Sequence, residues 1–297
     1  MKSEISRMLI RRWMAFTVVL ALLFVRPLAR LAIHASSADL HSHILLVPFI
    51  AAYLLYSQRG SLPAHGSRSM GRTALLGGIG LAALAAGTGW QDSLSVNDYL
   101  AFMALAFVSF VAAAGFLLLG SRWMAAAGFP FAFLIFMVPL PDAAVSWLER
   151  ASALASAEAA AMYFGIAGTP LVRDGTIFEL PGITLAVAQE CSGIRSSWVL
   201  FITSILAAHL FLKSPWRKLV LVAFVIPLGI LRNGFRVFVI GVLCVQVGPH
   251  MIESIIHHRG GPIFFALSLV PLFLLLWWLR RREAGARAST SISDEVH

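Results

Sequence analysis

Charged residues are scarce in this sequence. Asp, Glu, Lys and Arg make up 12% of the 297 residues, whereas hydrophobic residues make up 59%. A water-soluble domain carries about twice that charged fraction, so the composition excludes an ordinary soluble enzyme. The sequence therefore predicts an all-α polytopic membrane protein, whose length is taken up by apolar spans in the lipid bilayer.

Acidic residues are the scarcer charged class. The chain has 14 Asp and Glu against 23 Lys and Arg, which gives a net charge of +9. The basic residues stand in short flanks of apolar runs, as the positive-inside rule describes for membrane proteins. The excess positive charge therefore indicates membrane topology, and we expect no nucleic-acid partner.

Cysteine is almost absent. The two cysteines, Cys191 and Cys244, form no CxxC pair, so the sequence predicts neither a disulfide framework nor a metal or redox motif. Cys244 stands within an apolar run, where a cysteine is most often a small packing residue. At least one free thiol remains, and Cys191 is the candidate for chemistry.

Signatures of other enzyme classes are missing as well. There is no GxSxG sequence, and neither Ser192 nor Ser42 has a plausible acidic partner for serine catalysis. Three histidines cluster near Asp39 without forming a spaced set of metal ligands, namely His34, His41 and His43. We therefore expect no metal ion and no cofactor.

Eight apolar segments are predicted to cross the membrane. They are residues 13–35, 43–57, 74–89, 99–119, 124–138, 192–212, 219–231 and 262–279. Basic residues precede the first and follow the last, so the positive-inside rule puts both termini in the cytoplasm. The segments form one membrane-embedded domain over residues 1–282, and residues 283–297 are expected to be a disordered polar tail.

Two of the later apolar runs are too short to be assigned by length. Residues 219–231 and 235–247 are separated by Arg232-Asn233-Gly234, and each is shorter than the ~20 residues that cross a bilayer as a helix. If both crossed, the arginines after the last span would lie outside the cell. We therefore expect 219–231 to cross and 235–247 to be re-entrant or interfacial.

Residues 142–190 differ in character from the spans. The segment 147–164 is rich in alanine and carries three charged residues, which predicts an amphipathic helix on the outer membrane surface. Residues 175–188 alternate imperfectly around Pro181-Gly182, which predicts a β-hairpin. The hairpin delivers the chain to Cys191 at the outer end of the next span.

Three separate segments bring candidate catalytic side chains to the outer face. Cys191 stands at the start of a helix with Arg195 one turn later, and both features favour the nucleophilic thiolate form of a thiol. Arg232 and Arg236 suit stabilisation of an oxyanion, or they are snorkelling residues at the end of a span. His257-His258 suits proton transfer to a leaving amine, or it belongs to a solvated loop.

Three motifs follow one another in the second half of the chain. They are Cys191-Ser192-Gly193-Ile194-Arg195-Ser196, Asn233-Gly234-Phe235-Arg236, and a histidine followed by a glycine and an aromatic residue. In this order they resemble the exosortase/archaeosortase family of integral-membrane transpeptidases. Two earlier segments, 42–48 and 136–141, also look like family segments, so the resemblance runs over most of the chain. It implies a sortase-like reaction on an unrelated fold.

The resemblance implies a role for each motif. Cys191 would be the nucleophile, Arg236 would stabilise the oxyanion or the substrate, and a histidine would be the acid or base. The family pattern has a glycine four residues after that histidine, which matches Gly261 if the residue is His257. His258 is the alternative. The other supporting or alternative residues are Arg195, Asn233 and Arg232.

The resemblance also implies the substrate. It would be a secreted protein whose C-terminal sorting tail joins a short signature such as Pro-Glu-Pro, a hydrophobic span and a basic cluster. The enzyme would cut near the signature through a thioester and transfer the protein to an unknown acceptor nucleophile at the outer membrane face. A purely hydrolytic membrane thiol protease is one alternative. The other is a non-enzymatic transporter or polysaccharide-export component, for which the expected mid-bilayer polar residues and repeat symmetry are missing from the sequence.

Overall fold

A computed structural model describes residues 2–37, 39–63, 67–187, 193–248, 250–251 and 261–295, which are mainly helical. The helices are α1 (Lys2–Leu23), α2 (Val25–Ser37), α3 (Val47–Ser57), α4 (Met70–Gly89), α5 (Val96–Leu118), α6 (Ser121–Ala126), α7 (Gly128–Phe133), α8 (Asp142–Ile166), α9 (Ile194–Phe211), α10 (Pro215–Gln246) and α11 (Gly261–Glu295). Short 3-10 helices lie at Asp39–Leu45 and Leu134–Met137. The strands are β1 (Val172–Asp174), β2 (Ile177–Leu180) and β3 (Ile183–Ala186).

Six of the described helical segments are long and apolar enough to cross a membrane. They are Leu40–Ser57, Met70–Gly89, Val96–Leu118, Ile194–Phe211, Pro215–Gln246 and Ile263–Gly285. Two bent helix pairs raise the number to eight if each pair counts as one span, namely Met8–Leu23 with α2 and Gly128–Met137 with α8. The predicted all-α polytopic fold is confirmed, and the chain is a multi-pass membrane protein.

The described chain divides into two compact units, Met1–Val145 and Ser146–His297. In the first unit, α5 is buried along most of its length and packs against α1, α2 and α4. A Cβ on Gly80 of α4 would lie 2.7 Å from the ring of Phe110 in α5. The glycine therefore allows the two helices to approach closely.

The first predicted span, residues 13–35, is not one straight helix. α1 and α2 meet at Phe24 with a bend of 76°. Pro27 stands in the first turn of α2, and its missing N–H and its ring keep α1 from continuing as a regular helix. The fifth predicted span, 124–138, is likewise divided among α6, α7 and a 3-10 helix.

In the second unit, α9, α10 and α11 pack around a leucine-rich core. Leu200, Leu221 and Leu272, one from each helix, are almost completely buried there. α8 and the small sheet form a second cluster with α10, in which Phe164 and Phe178 are fully buried. The two clusters hold α10 against α9 and against α8.

The expectation that residues 219–231 and 235–247 form two separate segments is wrong. α10 is one helix of 32 residues, about 48 Å long at 1.5 Å per residue, which exceeds the ~30 Å hydrocarbon core of a bilayer. Residues 235–246 therefore continue the helix and are not a re-entrant segment. A Cβ on Gly234 would lie only 2.5 Å from the Cβ of Ala159 in α8. Close helix packing thus explains the glycine and overrides its poor helix propensity.

The helix and the hairpin predicted before Cys191 are both present. α8 includes the expected helical segment, and β2 and β3 form an antiparallel hairpin that turns at Pro181-Gly182, with Gly182 at φ +83°. β1 adds a third strand, which the sequence pattern did not predict. Arg173 on β1 donates a hydrogen bond to Glu158 on α8 at 2.7 Å. This bond joins the sheet to the helix and raises the pKa of the arginine.

α11 continues beyond the predicted last span to Glu295. Glu283 in this extension is buried, and its carboxylate accepts hydrogen bonds from the backbone N–H groups of Lys213 (3.1 Å) and Ser214 (2.7 Å). Arg217, in the first turn of α10, lies 3.6 Å from the same carboxylate. Glu283 therefore caps the start of α10 from a neighbouring helix, at a place where backbone donors need outside partners.

Gly234→Ala is expected to lower the thermal unfolding midpoint, because the added methyl group meets the backbone of α8. Overpacking of this kind costs about 1–3 kcal/mol. Gly78→Ala in α4 is the control, since no described atom beyond its own helical turn lies within 4 Å of the added Cβ. Circular dichroism in detergent measures both midpoints, and an unchanged value for Gly234→Ala would contradict the close contact between α8 and α10.

Candidate functional site

The cysteine motif and the arginine motif meet at the start of α9. Gly193 precedes the first turn of α9 as its N-cap and has a left-handed backbone with φ +71°. Arg232 and Asn233 of α10 lie directly against it. Three further predicted site residues lie outside the described residues, namely Cys191, His257 and His258.

The carbonyl oxygen of Gly193 is the centre of this contact. It accepts hydrogen bonds from the backbone N–H of Ser197 (3.1 Å), the hydroxyl group of Ser196 (3.1 Å) and Nη2 of Arg232 (3.0 Å). Nη2 of Arg232 also donates to Oγ of Ser197 at 3.1 Å. One arginine of α10 thus binds both the N-cap and the first turn of α9.

A side chain does not fit at position 193. A Cβ there would lie 2.7 Å from Oδ1 of Asn233 and 3.2 Å from Nη2 of Arg232. The left-handed backbone is a second reason for glycine, because residues with a Cβ rarely adopt it. Gly193 therefore allows α10 to approach the backbone of the cysteine motif.

Arg232 and Asn233 are buried although both are polar. Their exposed fractions are 7% and 2%. Nη1 of Arg232 is buried and has no hydrogen-bond partner among the residues that the structure describes. Burial of a charged group is unfavourable unless the charge is paired, and charged residues in membrane segments are usually functional. The burial of this pair therefore marks the contact as a candidate functional site.

The other two candidate arginines differ in exposure. Arg236 is half-buried and follows Arg232 by one helical turn on the same face of α10. Arg195, in the first turn of α9, is exposed. The sequence favoured Arg195 as the residue that supports the cysteine, whereas the described contact with the backbone of the cysteine motif is made by Arg232.

These residues create a positive environment at the start of a helix. The first turn of α9 carries the partial positive charge of the helix dipole, and the guanidinium group of Arg232 lies beside it. Such an environment favours anions. A thiolate and the oxyanion of a tetrahedral intermediate are the two anions that acyl transfer by a thiol requires.

An apolar cavity of about 530 Å³ adjoins the start of α9. It lies between α8, α9 and α10, and its walls include Trp147, Ile194, Trp198 and Ile226. The sequence did not predict this cavity, because the residues that form it are far apart in the chain. The described residues that line it include no charged group.

The sequence did not predict the hydrogen-bond network at Gly193 either. A partial signal exists, since a glycine followed by hydroxyl residues before an apolar run is typical of a helix start. The part played by Arg232 has no local signal, because it depends on how α9 packs against α10. Local patterns therefore predict the helix start but not its partner.

The histidine cluster near the start of the chain is a separate feature of the first unit. The rings of His34 and His41 lie 5.3 Å apart. Across the described ranges, no group of three or more His, Cys, Asp or Glu side chains is placed to hold a metal ion.

Comparison with known proteins bears on the identity of the chain. A family model described as transmembrane exosortase matches residues 34–274, about four fifths of the sequence. The matched range includes all three motifs, and it confirms the resemblance drawn from them. A search of the curated proteins finds no match, and a search of the solved structures finds none either.

Gly193→Ala is expected to destabilise the start of α9, because alanine must adopt the left-handed backbone and must also clash with Asn233. Left-handed strain alone costs on the order of 1 kcal/mol. Addition of Asn233→Ala removes the clash but not the strain, so the double variant should be more stable than the two single effects predict together. Thermal unfolding of the four proteins measures this coupling, and strictly additive effects would contradict the contact.

Proposed function

The chain belongs to the transmembrane exosortase family, and on this basis we propose that it is a cysteine-dependent transpeptidase that cleaves the C-terminal sorting tails of secreted proteins. Membership of the family implies a membrane transpeptidase or protease that acts on sorting signals. The thiol nucleophile, the thioester intermediate and the tail signature are the parts that we propose for this chain.

The observation that carries the proposal is the contact between the cysteine motif and the arginine motif. Gly193 is bound to Arg232, and Arg236 follows one turn later on the same helix. Cys191 precedes Gly193 by two residues, and two residues of chain reach at most about 7 Å. This short reach supports a site in which the nucleophile and an oxyanion-stabilising arginine act on one substrate.

In the proposed reaction, the Cys191 thiolate attacks the scissile carbonyl carbon and forms a carbon–sulfur bond. Arg236 stabilises the oxyanion of the tetrahedral intermediate. His257 gives a proton to the leaving amine as the carbon–nitrogen bond breaks, which leaves a thioester. An acceptor amine then attacks the thioester, its proton passes to His257, and Cys191 leaves as a thiolate. Arg195 and Asn233 have supporting roles.

The length of α10 supports a site at the outer membrane face. The helix starts beside Lys213 and Arg217, and the positive-inside rule assigns such residues to the cytoplasm. Arg236 lies about 32 Å further along the helix at 1.5 Å per residue, close to the ~30 Å thickness of the hydrocarbon core. We therefore propose an extracytoplasmic active site and two cytoplasmic termini in a bacterial or archaeal cytoplasmic membrane.

A membrane-anchored substrate suits this arrangement. A sorting tail with its own hydrophobic span holds the cleavage signature at the membrane face, which raises the effective concentration of the signature near Cys191. An amine of the cell envelope is the proposed acceptor nucleophile. With water as the acceptor, the same residues would perform hydrolysis, and mass spectrometry of the released protein distinguishes the two products.

Co-expression with a tailed secreted protein tests the catalytic residues. Cys191→Ala is expected to abolish tail cleavage, and Arg236→Ala is expected to lower its rate by about 10²- to 10³-fold, as loss of an oxyanion-stabilising group does in other enzymes. His257→Ala should lose more activity than His258→Ala, and the reverse order would assign the acid–base role to His258. Gel mobility of the substrate measures the cleavage in each strain.

The control for the cysteine variant is Cys244→Ala. Cys244 is buried within α10, so its replacement should leave cleavage close to the wild-type rate. Normal cleavage by Cys191→Ala would overturn the proposed nucleophile. If Cys244→Ala is expressed normally but does not cleave the substrate, the assay cannot attribute the effect of Cys191→Ala to loss of the nucleophile.

The proposed topology makes its own prediction. A reporter fused after Arg282 is expected to score as cytoplasmic, because the basic cluster at the end of α11 should remain inside. Alkaline phosphatase and green fluorescent protein fusions at this position measure the two orientations. An extracytoplasmic score would overturn the proposed topology.

A further inference from the structure

We infer that Arg232 is a positioning residue of this enzyme, which restrains Gly193, two residues after Cys191 in the sequence, by binding its carbonyl group. The inference rests on the proposed function of Cys191 and adds a residue to it. The arginine motif that resembles the family begins one residue later, at Asn233, and Arg232 was predicted only as a supporting or alternative residue without a stated role. The role is assigned from contacts and burial alone.

The stability of the fold does not explain Arg232. The Gly193 carbonyl already accepts hydrogen bonds from the N–H of Ser197 and the hydroxyl group of Ser196, so it keeps two donors without the arginine, and the hydroxyl group of Ser197 loses one donor. A cation beside a helix N-terminus is unfavourable because the helix dipole is positive there. Burial of the charge is unfavourable as well. A residue with both disadvantages is expected where function requires it.

The contact does explain how the two motifs keep their spacing. Gly193 is the N-cap of α9, whereas Arg232 and Arg236 lie on one face of α10. The 3.0 Å hydrogen bond between Nη2 of Arg232 and the Gly193 oxygen ties these two parts together. Catalytic groups have to be held within about 0.5 Å of their productive geometry. This bond supplies such a restraint two residues from the nucleophile.

Loss of the restraint should affect the chemical step more than substrate binding. A displacement of about 1 Å between reacting groups lowers a rate by about 10²-fold, whereas the surfaces that bind the substrate are unchanged. Methionine keeps most of the side-chain volume and removes the buried charge together with the free-energy cost of its burial. A lower kcat combined with retained stability is therefore the expected signature of Arg232→Met.

The experiment compares four full-length proteins in detergent, namely wild type, Arg232→Met, Arg232→Lys and Arg150→Met, with a tailed peptide as the substrate. Arg150 is an exposed arginine of α8, and its variant controls for the loss of one positive charge. Arg232→Met is expected to lower kcat about 10²-fold, with KM within about twofold of wild type and no lower unfolding temperature. Arg232→Lys keeps a donor and should recover part of the rate.

Three results would overturn the inference. A wild-type kcat for Arg232→Met would show that the bond is not needed. A raised KM with an unchanged kcat would make Arg232 a binding residue. Parallel loss of kcat and of the unfolding temperature in both Arg232 variants would make it a structural residue.

Cys191→Ala in the same assay separates this inference from the proposed function. Normal cleavage by that variant would mean that the proposed function fails, and the role of Arg232 would fail with it. If Cys191→Ala is inactive while Arg232→Met behaves as wild type, only the role of Arg232 fails.

Discussion

The hydrogen bond between Arg232 and the carbonyl group of Gly193 is the interaction on which the candidate site depends. It joins two residues that lie 39 positions apart in the chain, and it requires that α9 and α10 approach closely. Glycines make that approach possible, since a Cβ on Gly229 would lie 2.6 Å from Oγ of Ser197 and one on Gly234 would meet α8. Between Gly229 and Gly234, α10 therefore packs closely against both α9 and α8.

α10 is held at its start and around Arg232 by contacts that involve buried charged side chains. Glu283 of α11 binds the backbone at the start of the helix, and the Gly193 contact holds the stretch around Arg232. The two contacts are separated by roughly the thickness of the apolar layer. Between the two contacts, residues 219–231 are wholly apolar, as a membrane span requires.

Sequence patterns predicted the fold class, the hairpin turn at Pro181-Gly182 and the helix that begins within the cysteine motif, because each depends on local composition or turn chemistry. α10 continues through Arg232, Asn233 and Gly234, although these residues were predicted to end a span. In the sequence they look like the end of a span, because the sequence does not show which residues pack against them. The difference in exposure between Arg195 and Arg232 was not predictable from the sequence either. The two arginines differ in burial, which is set by helix packing and not by the sequence around them.

The length of α10 links the candidate site to the thickness of the membrane. A helix whose apolar stretch is longer than the bilayer is thick can adapt by tilting, among other responses. Because Gly193 is bonded to α10 and not to the lipid, the start of α9 would tilt with the helix and keep its distance from Arg236. Differences in lipid composition would therefore change how deeply the site sits in the membrane interface, while the spacing between its two motifs would stay the same.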